Sequence, residues 1–271
     1  MNYAEYAATV PTAVQVLISI ALAAGISVLL VRLLHRQIIA IAQKDDDDDE
    51  TTPKVPPSYY LSGRIMQVTS IAFVFLFTFT AAQFVINTRN ADEATQSEAQ
   101  YWSRAMMQAQ SVPAAQGGDD LVAALARYRT VVVDEEWPLM ARADQWGAYE
   151  KQQEVSTLVS GAAQQAQGLG AGDLPGWGSL TSSIDDMLTS GSDRLAYVPS
   201  ANAESLTLAV LALGVVSLAV TAVFQPTRRG INLVLIGIMG AVYGFMFYIV
   251  VELSNPYQGS SAIESLLKVM Q

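Results

Sequence analysis

The sequence predicts an all-α membrane protein in which two transmembrane helical hairpins flank an extracytoplasmic helical bundle. Four apolar stretches occupy residues 13–34, 66–87, 205–224 and 231–252. Each has about 20 residues, the length that an α-helix needs to cross roughly 30 Å of hydrocarbon. Between the second and third stretches, residues 88–204 form an acidic block with helical rather than alternating periodicity.

The apolar stretches are typical of membrane spans and not of a soluble core, because each is apolar all round rather than along one stripe. Apart from Glu252 at the end of the fourth stretch, Arg32 is the only charged residue within them. Arg32 lies near a helix end, from which its guanidinium can reach the lipid headgroups. Apolar residues make up 51% of the chain, which agrees with a large share of it lying in lipid.

The distribution of lysine and arginine predicts the orientation, since these residues favour the cytoplasmic side. They are concentrated around the linker 35–65 and in the turn 225–230: Arg32, Arg36, Lys44, Lys54, Arg64, Arg228 and Arg229. The N-terminal tail, residues 1–12, has none, and the C-terminal tail, residues 253–271, has a single lysine. We therefore expect a multi-pass protein of a plasma membrane, with both termini and the block 88–204 outside the cytoplasm.

The sequence predicts no catalytic residue, no cofactor and no metal site, and hence no enzyme. There is no cysteine, and His35, the only histidine, cannot build a metal site or a recognisable triad alone. The acidic run 45–50 is followed by prolines, which is typical of a flexible linker, whereas a calcium loop would space its ligands and turn at a glycine. No phosphate loop, dinucleotide fingerprint or serine elbow occurs. No nucleic-acid partner is expected.

The block between the hairpins is predicted to contain four amphipathic helices in a small bundle. The first is predicted over residues 91–111. The second is capped by Asp119 or Asp120 and ends at Pro138. The third and fourth cover residues 142–167 and 180–197. Residues 90–203 carry 15 acidic side chains against 6 basic ones. The four tryptophans of the block are interpreted as core or membrane-interface residues rather than as a ligand cage: Trp102, Trp137, Trp146 and Trp177.

Polar residues near the outer ends of two spans are the candidates for lining a path. Thr78, Thr80, Gln83 and Asn87 lie on the second span. An amide such as that of Gln83 needs a hydrogen-bond partner in lipid, which either a water-filled interior or a neighbouring helix would supply. Glu252 ends the last span, and it is either an interfacial carboxylate or part of a vestibule that favours cations.

Three glycines on the last span predict a packing face. Gly237, Gly240 and Gly244 are spaced three and four residues apart, so that the last two form a small-xxx-small step. Such a step lets another helix approach closely, either within a hairpin or between copies of the chain.

The end of the last span resembles a known family. The stretch Val251–Gly259 resembles the Leu-acid-x-Pro-Phe-x-Gly ending of the bestrophin-like bacterial membrane proteins, with Tyr257 in place of the usual Phe. The stretch Glu136–Met140, and Arg194 leading through Pro199 into the third span, are similar to that family as well. The resemblance covers nearly the whole chain and implies a protein with four transmembrane helices whose function is not defined. Bestrophins proper are oligomeric anion channels.

Two functional hypotheses follow. The first is a homo-oligomeric ion channel in which the second span lines the path and the acidic block forms an outer vestibule. Such an acidic exterior concentrates cations, in contrast to the anion selectivity of bestrophins. The second is a non-catalytic accessory or sensor subunit of a cell-envelope complex, whose outer bundle binds a protein partner. In both, the lipid bilayer is a partner, and the first requires self-association.

Overall fold

The fold is all-α, as predicted. A computed structural model describes residues 14, 17–18, 21–26, 28–29, 57–199, 201–224 and 231–258. Within these ranges the chain forms helices and turns and contains no strand. The acidic run 45–50, His35, the turn 225–230 and the tail beyond residue 258 lie outside the described residues.

Seven α-helices follow one another in the described chain from residue 57 onward. They are α1 (Pro57–Ala109), α2 (Gly118–Thr130), α3 (Trp137–Ala141), α4 (Gln145–Gly168), α5 (Trp177–Leu195), α6 (Ala201–Phe224) and α7 (Ile231–Leu253). A π-helical segment, Val131–Glu136, joins α2 to α3. Single 3-10 turns precede α2 and α5, at Ala114–Gln116 and Ala171–Asp173.

The second predicted span and the first predicted outer helix are one continuous helix, α1. It has 53 residues, and from Arg64 to its end it contains neither glycine nor proline to interrupt it. At about 1.5 Å per residue its length is roughly 80 Å, well beyond the thickness of a bilayer. It ends at Ala109, shortly before Pro113, because proline and the residue preceding it disfavour helix continuation.

Two helices in the described part of the chain are long and apolar enough to cross a membrane. They are the Gln67–Ala109 portion of α1 and the Ile236–Leu253 portion of α7, each with a window of mean hydropathy 1.9. Only 17% and 28% of these windows are buried inside the chain, whereas a core helix of a soluble protein would be mostly covered. A shorter apolar stretch, Ser205–Val220, lies in α6. The two helices are thus candidate membrane spans, and the arrangement of four spans stays a prediction.

The chain divides into two compact units. The apolar unit comprises Met1–Gln83 and Asn202–Ser254, and the acidic unit comprises Phe84–Ala201 and Asn255–Gln271. In the apolar unit, the ring of Phe73 lies 4.4 Å from that of Tyr243, whose hydroxyl is 3.0 Å from that of Ser217. A side chain at Gly214 would press on the ring of Phe73, so glycine permits the close approach of α6 to α1.

The acidic unit has two hydrophobic cores. The main core is built from the outer part of α1 together with α2, the π segment, α4 and α5. Trp102 is buried in it, and its indole N–H donates to the Leu125 carbonyl at 2.9 Å. The smaller core, called the basal core below, is a separate cluster of six buried residues: Ala91, Met140, Ala148, Leu195, Val198 and Tyr257.

The predicted cap of α2 is wrong. The N-cap is Gly117, with φ 85°, and Asp119 and Asp120 lie in the first turn, where their charge favours the helix N-terminus. The preceding 3-10 turn folds back tightly, so that a Cβ on Gly118 would collide with the Val112 carbonyl. This tight turn requires glycine, and the helix therefore begins one residue before the first aspartate.

The predicted end at Pro138 is also wrong, because the helix passes through the proline. The N–H of Trp137 donates to the Val132 carbonyl five residues earlier, which is the π-helical spacing. In a regular helix the Pro138 ring would clash with the carbonyl of Asp134. The wider π turn relieves that clash, and Pro138 then occupies the first turn of α3, where a proline needs no N–H.

Candidate functional site: a buried charge cluster in the acidic unit

Three fully buried charged side chains meet inside the acidic unit. Arg194 and Glu136 are 0% exposed and Glu98 is 1% exposed. Glu98 comes from α1, Glu136 is the last residue of the π segment, and Arg194 lies in the last turn of α5. We call these three residues the charge cluster. It joins three elements that are distant in sequence.

One guanidinium serves both carboxylates. Arg194 Nε is 3.0 Å from Glu98 Oε2, and its Nη2 donates to Glu98 Oε1 at 3.3 Å. The same Nη2 donates to Glu136 Oε1 at 2.6 Å. The Trp137 ring covers the guanidinium, with its centroid 5.0 Å from Cζ, which adds a cation–π contact. The planar, multidonor head of arginine suits this position, and lysine would not replace it.

Two further polar side chains lie beside Glu98 and Arg194. The Tyr128 hydroxyl donates to Glu98 Oε1 at 2.6 Å, and the Gln152 amide donates to the Tyr128 oxygen at 3.3 Å. Around the charge cluster, four buried polar atoms have no hydrogen-bond partner among the described residues: Arg194 Nε, Arg194 Nη1, Glu136 Oε2 and Gln152 Oε1. The cluster is therefore buried, but not all of its polar atoms are hydrogen-bonded.

The segment that follows α7 closes the cluster from another side. The Tyr257 hydroxyl donates to the Arg194 carbonyl at 2.7 Å, and its ring meets Trp137 edge-on at 5.4 Å. Asn255 donates from Nδ2 to the Met140 and Ala141 carbonyls at 3.2 and 3.1 Å. Its Oδ1 accepts from the Tyr257 N–H at 3.0 Å. The Asn-Pro-Tyr sequence thus ties this segment to the end of α3 and to α5.

The balance of charge inside the cluster favours one retained proton. Burial raises the pKa of Glu98, and it raises the pKa of Glu136 to about 8, because the Arg194 charge only partly offsets desolvation. Burial opposes the charge on Arg194 as well, but the two carboxylates raise the pKa of its guanidinium above the ordinary value. Two ionised carboxylates against one cation would leave a net buried charge, which is costly.

Glycine at position 191 is required by the packing around the cluster. A Cβ there would collide with the Gln152 amide and lie 2.6 Å from the Tyr128 hydroxyl. We expect Gly191→Ala to destabilise the protein by about 1–3 kcal/mol through overpacking. Urea unfolding monitored by near-UV circular dichroism measures this. Gly161→Ala is the matched control, since its Cβ meets open space on α4; it should stabilise by about 0.5–1 kcal/mol, because alanine favours a helix. Equal effects of the two variants would contradict the packing argument.

The structure spreads the predicted lining residues over different environments. Thr80 is fully buried, Thr78 and Gln83 are exposed, and Asn87 is half-buried. Thr78 and Thr80 lie on nearly opposite sides of α1, since two residues advance a helix by about 200°. Glu252 is half-buried, and Tyr248 one turn earlier donates its hydroxyl to Glu252 Oε2 at 3.3 Å.

The three glycines of α7 differ in their surroundings. Gly240 and Gly244 are buried, and Gly244 lines an apolar cavity of about 250 Å³ within the apolar unit. Gly237 is half-buried, with open space where a Cβ would be. Among the described residues, no group of His, Cys, Asp and Glu has the proximity needed to hold a metal ion.

The charge cluster was missed by sequence reasoning, although a signal for it was present. Arg194 stands at the position where the buried stripe of α5, formed by Leu180, Ile184 and Met187, would place an apolar residue. Glu98 likewise stands one turn before Trp102 on the buried face of α1. A charged residue inside an apolar stripe is rarely buried without a partner, so it indicates an internal ion pair.

Comparison with known proteins identifies the family. A Bestrophin-like domain matches residues 59–266, which is most of the chain and includes every residue of the charge cluster. Searches of curated proteins and of solved structures gave no significant match. Glu136, Arg194 and Tyr257, which lie in the motifs that suggested the family, are brought together at one site. The chain therefore belongs to the Bestrophin-like family.

Proposed function

We propose that the protein is a non-catalytic, homo-oligomeric ion channel of a bacterial plasma membrane, with both termini and the acidic unit on the outer side. The second predicted span lines the path, and the acidic unit forms the outer vestibule. The observation that carries this proposal is the exposure of the Gln83 amide within the predominantly apolar second span, on α1.

The side chain of Gln83 needs a polar environment, and the described part of its own chain leaves it exposed. Its neighbours on the exposed side of α1 are apolar, with Phe79 49% and Ile86 50% exposed. When an amide faces hydrocarbon, each N–H or C=O group without a hydrogen-bond partner costs on the order of several kcal/mol. A water-filled path between copies of the chain relieves this cost.

The charge of the acidic unit supports cation preference. Residues 90–203 have 15 acidic side chains against 6 basic ones, and the excess of acids remains when the charge cluster, which buries Glu98, Glu136 and Arg194, is left out. Exposed carboxylates around an entrance raise the local concentration of cations. We therefore expect cations to permeate better than anions, unlike in bestrophins proper.

Reconstitution into planar bilayers tests the proposal. We expect single-channel currents whose reversal potential in a KCl gradient follows the cation, and we expect Gln83→Leu to lower the conductance about tenfold or more, because it removes the polar lining. Gln100→Leu is the matched control: it removes an exposed amide from the same helix outside the apolar stretch, and it should leave the conductance unchanged. Absence of current under any ion gradient, voltage or membrane tension would exclude the channel.

The alternative is an accessory or sensor subunit of an envelope complex. It is supported by the absence of charged side chains from the middle of the four apolar stretches. Crosslinking in native membranes followed by purification distinguishes the two. A stoichiometric protein partner favours the accessory role, and recovery of self-oligomers alone counts against it.

A further inference from the structure

We propose that Trp146 and Tyr149 anchor the acidic unit in the headgroup region of the bilayer. The two rings stack with centroids 6.0 Å apart and an interplanar angle of 28°. Trp146 is 71% exposed and Tyr149 is 48% exposed, whereas Trp102 and Trp177 are 7% and 8% exposed. The pair therefore presents a large aromatic surface that nothing in the described acidic unit covers.

The pair is held in a fixed position at the start of α4. Asp144 caps the helix by accepting a hydrogen bond from the Gly147 N–H at 2.9 Å. Ala148, between the two aromatic residues in sequence, is fully buried in the basal core. A rigid helix with one face buried thus directs the rings outward from the opposite face.

The basal core lies where the chain enters and leaves its apolar helices. Val198 is three residues before the start of α6, and Tyr257 is four residues after the end of α7. Ala91 follows the predicted second span, which ends at residue 87, within about one helical turn. The first turn of α4 is tied to the same end, since Gln145 donates to the Leu195 carbonyl at 3.4 Å. The basal core, against which the first turn of α4 packs, is therefore built in part from residues that adjoin the apolar helices in sequence.

The chemistry of the pair fits a lipid surface rather than bulk water. Tryptophan and tyrosine combine an apolar ring with a polar N–H or O–H, and they concentrate at membrane–water interfaces. Arg142, exposed and four residues before Trp146 in sequence, adds a positive charge suited to a lipid phosphate. The occupant that this surface fits is the bilayer of the chain's own membrane.

Fluorescence quenching by brominated lipids tests the proposal on the full chain in liposomes. We expect phosphatidylcholine brominated near the carbonyl end of its acyl chains to quench the tryptophan emission. Trp146→Phe should remove more than half of that quenching. Trp177→Phe is the matched control, because Trp177 is buried in the main core, and it should leave the quenched fraction unchanged. Trp146 is exposed, so its replacement should not alter the far-UV circular dichroism or the melting temperature.

Three results would overturn the anchor. Lipid quenching that persists unchanged in Trp146→Phe would place the quenched residue elsewhere. Quenching of the Trp146 emission by aqueous iodide instead of by lipid would show that it faces water. Quenching by neither would indicate that a second copy of the chain covers it. None of these results depends on whether the protein conducts ions.

Discussion

Arg194→Met is expected to destabilise the protein by about 3–5 kcal/mol, because it leaves Glu98 and Glu136 buried without a cation. Urea unfolding of the full chain in detergent, followed by near-UV circular dichroism, measures the loss. Arg127→Met is the matched control: Arg127 forms an ion pair with Glu135, but its side chain is 48% exposed, and solvent screens the pair. We expect the control to unfold close to the wild type.

A triple variant separates the charge from the shape of the cluster. Replacing Glu98 and Glu136 by glutamine in the Arg194→Met background removes the two carboxylates that the single change leaves unpaired. We expect this variant to recover at least half of the lost stability, because the penalty of Arg194→Met comes from uncompensated buried charge. Equal stabilities of the single and triple variants would show that packing of the arginine stem, and not charge pairing, holds the three elements together.

The helical class and the long continuous α1 could be predicted because they depend on local information. Helical periodicity and the scarcity of glycine and proline are read within one segment, and α1 meets both conditions from Arg64 to Ala109. Pro138 was misjudged, because its effect depends on whether the helix can widen around it. The π segment Val131–Glu136 provides that widening, and the sequence alone carries no sign of it.

The charge cluster was beyond local reasoning for a different reason. Glu98 and Arg194 are 96 positions apart, and no spacing rule connects residues that meet only through tertiary packing. Glu136 and its neighbour Glu135 illustrate the point further, since they are the same residue type but differ in burial. The π turn places Glu136 at 0% exposure beside Arg194, while Glu135 stays partly exposed with Lys151 at 2.9 Å. Burial of one acid and solvation of the next follow from helix geometry rather than from residue type.

Glu136 is expected to make the stability of the protein fall as the pH rises from about 5 to 8. Burial raises the pKa of Glu136 from 4.5 to about 8, and the neighbouring Glu98 carboxylate adds to this against the pull of Arg194. The titratable groups that interact with it come from four other segments: Glu98 on α1, Tyr128 on α2, Arg194 on α5 and Tyr257 after α7.

The sign follows from the protons bound in each state. Below pH 4.5 both states hold the proton of Glu136, and its burial carries no ionisation penalty. Between 4.5 and about 8 the folded state keeps a proton that the unfolded state has released, so each unit of pH lowers the stability by up to about 1.4 kcal/mol. Above 8 both states are ionised and the slope ends.

Glu136→Gln should remove this slope, because glutamine cannot ionise, and it should raise the stability at pH 8 relative to the wild type. Glu135→Gln is the matched control: the hydrogen bond from the Lys151 ammonium outweighs desolvation and holds the pKa of Glu135 below its ordinary value. That control should keep the wild-type slope between pH 5 and 8. The measurement is the free energy of unfolding in urea at each pH. A wild-type stability that stays level or rises over this range, or a Glu136→Gln slope equal to that of the wild type, would show that Glu136 ionises freely in the folded protein. The cluster would then hold a net negative charge, and Arg194 alone would have to stabilise two carboxylates.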